Sequence, residues 1–150
     1  EIKWEDGILK IAPPAEGLAT PGDVDIADCP DLGPILCTLA AFCRGTTRLV
    51  NAGRLRAKES DRIASMQAEL GRMGVSIEST EDTVTIKGGA ALLQNTTTQS
   101  HNDHRVVMAV SAAALCAGVQ VIIDGAEAVN KSWPTFFEDF TSLGAQFTFD

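Results

Sequence analysis

The hydrophobic pattern of the chain begins with strand signals and then turns helical. Apolar residues alternate with polar ones on both sides of the turn at residues 5–7, which predicts a strand pair over residues 1–12. Val24 and Ile26 alternate once more, as in one brief strand. Residues 31–44 are apolar on nearly every side and therefore predict a mostly buried helix.

The next signals complete an alternating unit. Residues 46–50 are β-branched and strand-like, and apolar residues at helical spacing then predict an amphipathic helix that closes at Gly74. Two half-buried strands follow, joined by a turn at Glu81 and Asp82. The predicted order over residues 22–88 is βαβαββ.

The same order of signals starts again in the second half of the chain. Asp103 heads another nearly all-apolar helix, and residues 119–123 predict the matching strand. Ser132 is predicted to cap an amphipathic helix with Pro134 in its first turn, and we assign its aromatic residues to the core. Phe147 is predicted to begin a last strand.

Corresponding glycines give the period of this repetition. Gly45 and Gly118 each stop a predicted helix, and they lie 73 residues apart. A fixed period of this kind indicates an internal duplication. We therefore predict an α/β fold with repeats at approximately residues 22–88 and 95–150, preceded by the strand pair.

Composition narrows the class of protein. The chain has 150 residues, of which 45% are hydrophobic and 21% charged, as in a soluble globular domain. Its formal charge of -8 disfavours binding to nucleic acid. The longest apolar stretch, residues 106–116, is shorter than the roughly 20 residues that a membrane span needs. The chain begins without Met and without a basic-then-apolar leader, so we expect no signal peptide and a start inside a longer protein. We expect that protein to be cytoplasmic.

The four cysteines show no metal-binding pattern. They lie at positions 29, 37, 43 and 116, and no two of them form a CxxC pair. Such spacing favours buried thiols over disulfides or a metal site.

Four polar clusters open the predicted helices of the two units. They are Asp31, the segment 58–62, the segment 103–105 and the pair 131–132. If the units pack side by side in equivalent orientation, these helix N-termini converge on one face, where they favour anions. The cations of the clusters are Lys58, Arg62, Arg105 and Lys131. Together they predict a site for phosphate or carboxylate groups.

A simpler interpretation of each cluster stays open. Asp31 and Asp103 could serve only as helix N-caps, and Glu59 with Arg62 could form only a solvated helix pair. Recurrence at four corresponding points favours the site instead. In that site Asp31 and Glu59 are candidates for general base and general acid. His101 lies in the polar segment 96–102, which we predict to be a loop, and is expected to face solvent.

Four motifs carry a resemblance to a known family. They are CPD at residues 29–31, LRAKESDR at 55–62, NDHR at 102–105 and KSWPTFF at 131–137. In this order and spacing they resemble the motifs of the 5-enolpyruvylshikimate-3-phosphate synthase family, and the resemblance covers most of residues 20–149. LRAKESDR is highly specific by itself.

The resemblance implies a fold and a place in a longer protein. Members of this family have two domains of three βαβαββ units each, built as inside-out α/β barrels, and bind their substrates in the cleft between the domains. The chain would then be a C-terminal portion of about two units, without the N-terminal domain. No metal or organic cofactor is implied.

The resemblance also implies a reaction. The family transfers the enolpyruvyl group of phosphoenolpyruvate to the 5-hydroxyl of shikimate 3-phosphate and releases phosphate, in aromatic amino acid biosynthesis. It is the target of glyphosate. Half a cleft should not turn over substrate, so we expect residues 1–150 alone to be inactive.

Roles follow motif by motif from the resemblance. Asp31 would hold and deprotonate the attacking hydroxyl, and Glu59 would move a proton to and from the methylene carbon of phosphoenolpyruvate. Lys58 would contact shikimate 3-phosphate. The cations around the carboxylate and phosphate of phosphoenolpyruvate would be Arg62, Arg105 and Lys131. Lys131 would also be a proton donor to the leaving phosphate.

Two other functions remain open at this stage. The related enolpyruvyl transferase that acts on a nucleotide sugar shares the fold, although the KESDR and KSWP strings disfavour it. A noncatalytic anion-binding module would keep the repeat for packing alone. Survival of both carboxylates and all four cations favours an enzyme.

Overall fold

The computed structural model describes residues 2–12, 14–89 and 94–149. Its strands are β1 (Ile2–Glu5), β2 (Ile8–Ile11), β3 (Asp23–Asp25), β4 (Gly45–Val50), β5 (Ser76–Ser79), β6 (Thr83–Gly88), β7 (Thr96–Gln99) and β8 (Val121–Asp124). Its α-helices are α1 (Gly33–Phe42), α2 (Arg62–Arg72), α3 (His104–Ala117) and α4 (Phe136–Ser142). Short 3-10 helices occupy Pro30–Leu32, Gly53–Ala57 and Ala126–Lys131. Residue 1 of the predicted strand pair and residue 150 of the predicted second repeat lie outside the described residues.

The first unit has the predicted βαβαββ order. Strand β3 pairs in parallel with β4 across the crossover helix α1, and β4 pairs antiparallel with β6. Strand β5 completes the sheet beside β6, so the spatial order is β3-β4-β6-β5. Helices α1 and α2 cover the apolar face of this sheet.

The second unit differs from the prediction at both ends. Residues 96–99 form β7, a parallel partner of β8, and not a loop. Thr98 is fully buried in it and donates a hydrogen bond to the Ile122 carbonyl at 3.1 Å. The strand predicted from Phe147 is wrong, since the described residues after α4 contain no strand. The rings of Phe147 and Phe149 instead pack edgewise on Phe137, with ring centroids 4.9 and 5.3 Å from that of Phe137.

Two hydrophobic clusters form the interior. The larger one joins the sheet of the first unit to α1, α2 and α3, and Thr38 of α1 donates a buried hydrogen bond to the Ala109 carbonyl of α3 at 2.9 Å. The smaller one holds Phe136 and Phe137 against α3, which confirms the core assignment for these two rings. Trp133 is 40% exposed and was wrongly assigned to the core.

Three helix beginnings differ from the predicted ones. Asp31 lies within a 3-10 helix ahead of α1 and does not cap it, because Leu32 occupies the N-cap position. Helix α2 begins at Arg62, after Asp61 as N-cap. Helix α4 begins at Phe136, not at Ser132. The backbone N–H groups of residues 132 and 133 bond the Val129 carbonyl and finish the preceding 3-10 helix. The Phe136 N–H then bonds the Trp133 carbonyl three residues back, and not the Ser132 carbonyl that an α-helix capped at Ser132 would use.

The cysteines and the strand pair complete the description. Cys37 and Cys43 are buried, as predicted, whereas Cys29 and Cys116 are exposed, and all four thiols are free. Burial raises the pKa of Cys37 to about 12. Strands β1 and β2 form the predicted antiparallel pair, with every side chain exposed. Over the described residues, none of the helices has the length and apolar character to cross a bilayer.

Candidate functional site

A buried arginine is the centre of the polar cluster. Arg62 is the first residue of α2, and only 1% of its side chain is exposed. Its guanidinium donates to Asp31 Oδ1 at 3.0 Å and to Glu59 Oε2 at 2.5 Å. Nε and Nη2 also donate to the two oxygens of Asp103, at 2.8 and 3.2 Å. A buried charge is tolerated only when it is paired in this way.

Asp103 binds Arg62 and begins a helix at the same time. It is the N-cap of α3, where its Oδ1 accepts the backbone N–H of Arg105 at 2.9 Å. Its Oδ2 also accepts the Ser60 hydroxyl at 3.0 Å. Burial raises the pKa of Asp103. The hydrogen bonds from the Arg62 side chain and the Arg105 backbone N–H, together with the charge of Arg62, outweigh burial, so the pKa lies below its ordinary value. Asp103 is therefore a carboxylate at neutral pH.

Asp31 faces three cations from the open side of the cluster. Its Oδ1 lies 3.1 Å from Lys58 Nζ as well as 3.0 Å from the Arg62 guanidinium. Its Oδ2 lies 3.4 Å from Arg105 Nη2. The hydrogen bond from Lys58 lowers the pKa of Asp31 against the opposing effect of burial, and the charges of Arg105, Lys58 and Arg62 lower it further. The side chain is 50% exposed, so this carboxylate is accessible as well as ionised.

Glu59 stands beside Asp31 at the same opening. Its Oε2 receives the Arg62 guanidinium, and its Oε1 faces His104 Nδ1 at 3.9 Å. His104 Nδ1 is buried and has no hydrogen-bond partner among the described residues. Because Glu59 is 41% exposed, its carboxyl group is open to a molecule that enters the cluster.

Lys131 joins the cluster from the last 3-10 helix. Its Nζ donates to the carbonyl oxygen of Asn102 at 2.5 Å and to Asn102 Oδ1 at 2.7 Å. Asn102 directly precedes Asp103 in the chain, which places Lys131 next to the Arg62 cluster. Lys131 ends its 3-10 helix, so the prediction that it opens a helix is wrong. Its position near the other site residues does not depend on that prediction.

The structure brings the sequence-predicted site residues to one place. Contacts through Arg62 and Asp31 gather five of them, and Lys131 is attached through Asn102. The five are Asp31, Lys58, Glu59, Arg62 and Arg105. Convergence of four helix N-termini, however, holds fully only for α2 and α3, since Asp31 lies in a 3-10 helix ahead of α1 and Lys131 ends a 3-10 helix ahead of α4.

Several groups that hold the site were not predicted from the sequence. Asp103 is more than an N-cap, and Ser60 and Asn102 were given no role. His101 does not simply face solvent, because its Nε2 lies 2.7 Å from Oε1 of the fully buried Glu69. The lone Glu69 on an otherwise buried face of α2 was the signal that could have revealed this contact.

The arrangement suits the binding of anions next to two carboxyl groups. Lys58, Arg105 and Lys131 present cationic groups at the opening, while Asp31 and Glu59 can accept or donate protons there. Among the described residues, no group of three or more His, Cys, Asp or Glu side chains is arranged to hold a metal ion.

Comparison with known proteins identifies the family of the chain that carries this cluster. The profile described as "EPSP synthase (3-phosphoshikimate 1-carboxyvinyltransferase)" matches residues 1–140. The chain belongs to the EPSP synthase family. Its EPSP synthase relatives include the 3-phosphoshikimate 1-carboxyvinyltransferase of Brachyspira hyodysenteriae, which is 50% identical over 124 residues, or 83% of this chain. The enzyme of that name from Clostridium kluyveri is 39% identical over 146 residues, or 97% of this chain.

Solved structures show the same EPSP synthase fold. EPSP synthase from Acinetobacter baumannii superposes on 75% of this chain with a TM-score of 0.68 at 36% identity, and the match covers 27% of that protein. The enolpyruvyl transferase NikO from Streptomyces tendae matches 91% of the chain with a TM-score of 0.68 at 18% identity, which shows a common fold only. The predicted enolpyruvyl transferase fold is thereby confirmed.

The chain is much shorter than the EPSP synthases that it matches. It spans 29% of the Brachyspira hyodysenteriae enzyme and 33% of the Clostridium kluyveri enzyme.

Proposed function

We propose that this chain supplies one wall of the active site of a longer 3-phosphoshikimate 1-carboxyvinyltransferase. The reaction would transfer the enolpyruvyl group of phosphoenolpyruvate to the 5-hydroxyl of shikimate 3-phosphate and release phosphate. The observation that carries the proposal is the joining of Asp31, Glu59 and their cations around one buried guanidinium. Membership of the EPSP synthase family supports the choice of substrates.

Asp31 would act on the attacking hydroxyl. Its lowered pKa keeps it ionised at neutral pH, so it can accept the proton of the hydroxyl as oxygen bonds to the central carbon of phosphoenolpyruvate. The three neighbouring cations hold the carboxylate in place. This prearrangement reduces the reorganisation that the reaction requires.

Glu59 would exchange protons with the methylene carbon. A proton added to that carbon in the first step must be removed in the second, when the double bond re-forms and the C–O bond to phosphate breaks. Because Arg62 holds Oε2, Oε1 is the oxygen that we assign to this transfer. The charge that builds on phosphate would be met by Arg105 and Lys131, with a proton from Lys131 Nζ.

The remainder of the enzyme would complete the site. We propose that residues 1–150 form part of the C-terminal domain, with repeats at approximately 22–88 and 95–150, and that an N-terminal domain supplies the other wall of the cleft. The order β7-α3-β8-α4 supports the second repeat as a partial copy of the first. We place the complete enzyme in the cytoplasm, without nucleic-acid or membrane partners.

Phosphate release from the complete gene product tests the proposal. With phosphoenolpyruvate and shikimate 3-phosphate, we expect Asp31→Asn and Glu59→Gln each to lower kcat by about 100-fold or more. Asp23→Asn is the matched control, because Asp23 is an exposed carboxylate paired with Arg48. It should keep the wild-type rate, and residues 1–150 alone should release no phosphate.

The same experiment separates the alternative functions. If Asp31→Asn and Glu59→Gln release phosphate as fast as Asp23→Asn, the catalytic proposal is wrong and an anion-binding module is favoured. Protection against heat distinguishes the two enzymes. Shikimate 3-phosphate should raise the melting temperature of the complete protein, whereas protection by a nucleotide sugar instead would favour the related enolpyruvyl transferase that acts on a nucleotide sugar.

A further inference from the structure

A second buried carboxylate lies on the same helix as Arg62. Glu69 follows Arg62 by two helical turns on α2, and its side chain is fully buried. Its Oε2 accepts the backbone N–H of Gln99 at 3.0 Å and lies 3.1 Å from Arg72 Nη1. Its Oε1 lies 2.7 Å from His101 Nε2. A carboxylate is costly to bury, and the proposed reaction gives this one no proton to move.

Glu69 contacts a turn with an uncommon backbone conformation, which His and Asn adopt more readily than most residues. His101 and Asn102 have φ values of 51° and 54°, in the left-handed region that residues other than glycine seldom occupy. Such conformations persist when surrounding contacts fix them. Here the contacts are those of Glu69 with Gln99 and His101 on one side, and the bond from the Asn102 N–H to Ser100 Oγ, at 3.1 Å, on the other.

The same turn also binds the side chain of Lys131. The carbonyl and the Oδ1 of Asn102 both accept hydrogen bonds from Lys131 Nζ. The N-terminal end of the 3-10 helix that holds Lys131 also packs against the turn. Gly125 directly precedes this helix, and a side-chain Cβ added at Gly125 would lie 2.5 Å from Ser100 Oγ. A displacement of Asn102 would therefore displace the Lys131 ammonium with it.

We propose that Glu69 and His101 are positioning residues that fix the ammonium of Lys131 through the Asn102 turn. This inference rests on the proposed function of Lys131 toward phosphoenolpyruvate. Neither Glu69 nor His101 contacts the reacting atoms in this scheme. Their contribution is to keep the carbonyl and Oδ1 of Asn102 directed at the lysine.

Substitution of His101 in the complete gene product tests the inference with two readouts. His101→Leu removes the donor to Glu69 at a position where the side chain is 34% exposed. We expect kcat to fall by about tenfold to 100-fold, as for a misplaced catalytic group, while KM for shikimate 3-phosphate stays unchanged. Labelling of Lys131 by an amine-reactive ester, followed by peptide mass spectrometry, should become faster. His101→Gln offers an amide N–H near the position of Nε2 and should restore both values.

Arg72→Gln is the matched control. It removes the exposed partner of the same carboxylate and should change neither kcat nor the labelling of Lys131. Glu69→Gln tests the other end of the contact, and if it does not fold, His101→Leu decides alone. An unchanged labelling rate in His101→Leu would overturn the inference, and so would an unchanged kcat in an active enzyme. If the wild-type protein releases no phosphate, the proposed function fails, and the labelling rate still decides the inference.

Discussion

Arg62 and Lys131 are cations of one site, yet the protein holds them in different ways. Arg62 and Asp103 form an inner region in which both side chains are buried and fully paired. Lys131 and Asn102 form an outer region in which both residues are exposed and the lysine bonds neutral oxygens. Asn102 and Asp103 are neighbours in sequence, so the inner and outer regions meet at a single peptide bond.

The difference separates groups that build the site from groups that meet a ligand. Arg62 has three carboxylate partners, so its positive charge is neutralised by groups of the protein itself. Lys131 forms no ion pair with any residue that the structure describes, and its charge remains available to an anion. We therefore expect changes in the inner region to affect folding and changes in the outer region to affect binding.

The largest effect is expected from breaking the inner pair. Asp103→Asn leaves the Arg62 guanidinium buried with one of its three carboxylate partners neutralised. It should lower the free energy of unfolding by about 3 to 5 kcal/mol. Urea denaturation of the complete gene product, followed by circular dichroism, measures the change. A loss below about 1 kcal/mol would show that the pair does not stabilise the fold.

A smaller effect is expected from acid. The pKa values of Asp103 and Asp31 in the folded protein lie below the ordinary 3.8. In this direction the unfolded chain binds more protons, so the stabilisation is complete above the unfolded pKa and disappears as the pH falls through the folded values. Denaturation curves should show wild type and Asp103→Asn differing by a constant amount from pH 7 to about 5 and converging below about pH 4.

Convergence above pH 5 would contradict the depressed pKa values. Lys131→Met serves as the control, because it leaves both carboxylates paired. It should lose stability in acid with the same profile as wild type.

The smallest effect on stability is expected from the outer region. Lys131→Met removes an exposed ammonium and should change the free energy of unfolding by no more than about 0.5 kcal/mol. If the complete gene product has the proposed function, the same substitution should weaken its binding of phosphoenolpyruvate by about tenfold, the value of a lost charge-assisted hydrogen bond. Isothermal titration measures the affinity. A loss of stability as large as that of Asp103→Asn would remove the distinction between the two regions.

Local patterns predicted much of the fold for identifiable reasons. Helix α3 follows from a run of apolar residues after an Asp and ends at Gly118 in the left-handed conformation, which glycine adopts without steric cost. Strand β7 was missed because its polar residues give no alternation, although Thr98 is buried. Helix α4 was predicted too early because residues 133–136 form a turn in which the Phe136 N–H bonds the Trp133 carbonyl and not the Ser132 carbonyl.

The sequence by itself determined the class of fold and the family, and it predicted which residues form the candidate site. Periodicity reports which face of an element is apolar, and the motifs report which charged residues accompany it. These properties are local to each segment, so they can be found without coordinates. They predicted that Asp31, Glu59 and Arg62 belong together, but not how.

Only the tertiary structure decided which charges are buried and what holds them. Arg62 meets Asp31 and Asp103 across 31 and 41 residues of sequence, and His101 meets Glu69 across 32. Such pairs depend on how the ends of separate helices pack, which no periodicity encodes. Burial of a charge is stable only where a partner from another element arrives at hydrogen-bond distance, so the fate of each ionised group is set by the assembled fold.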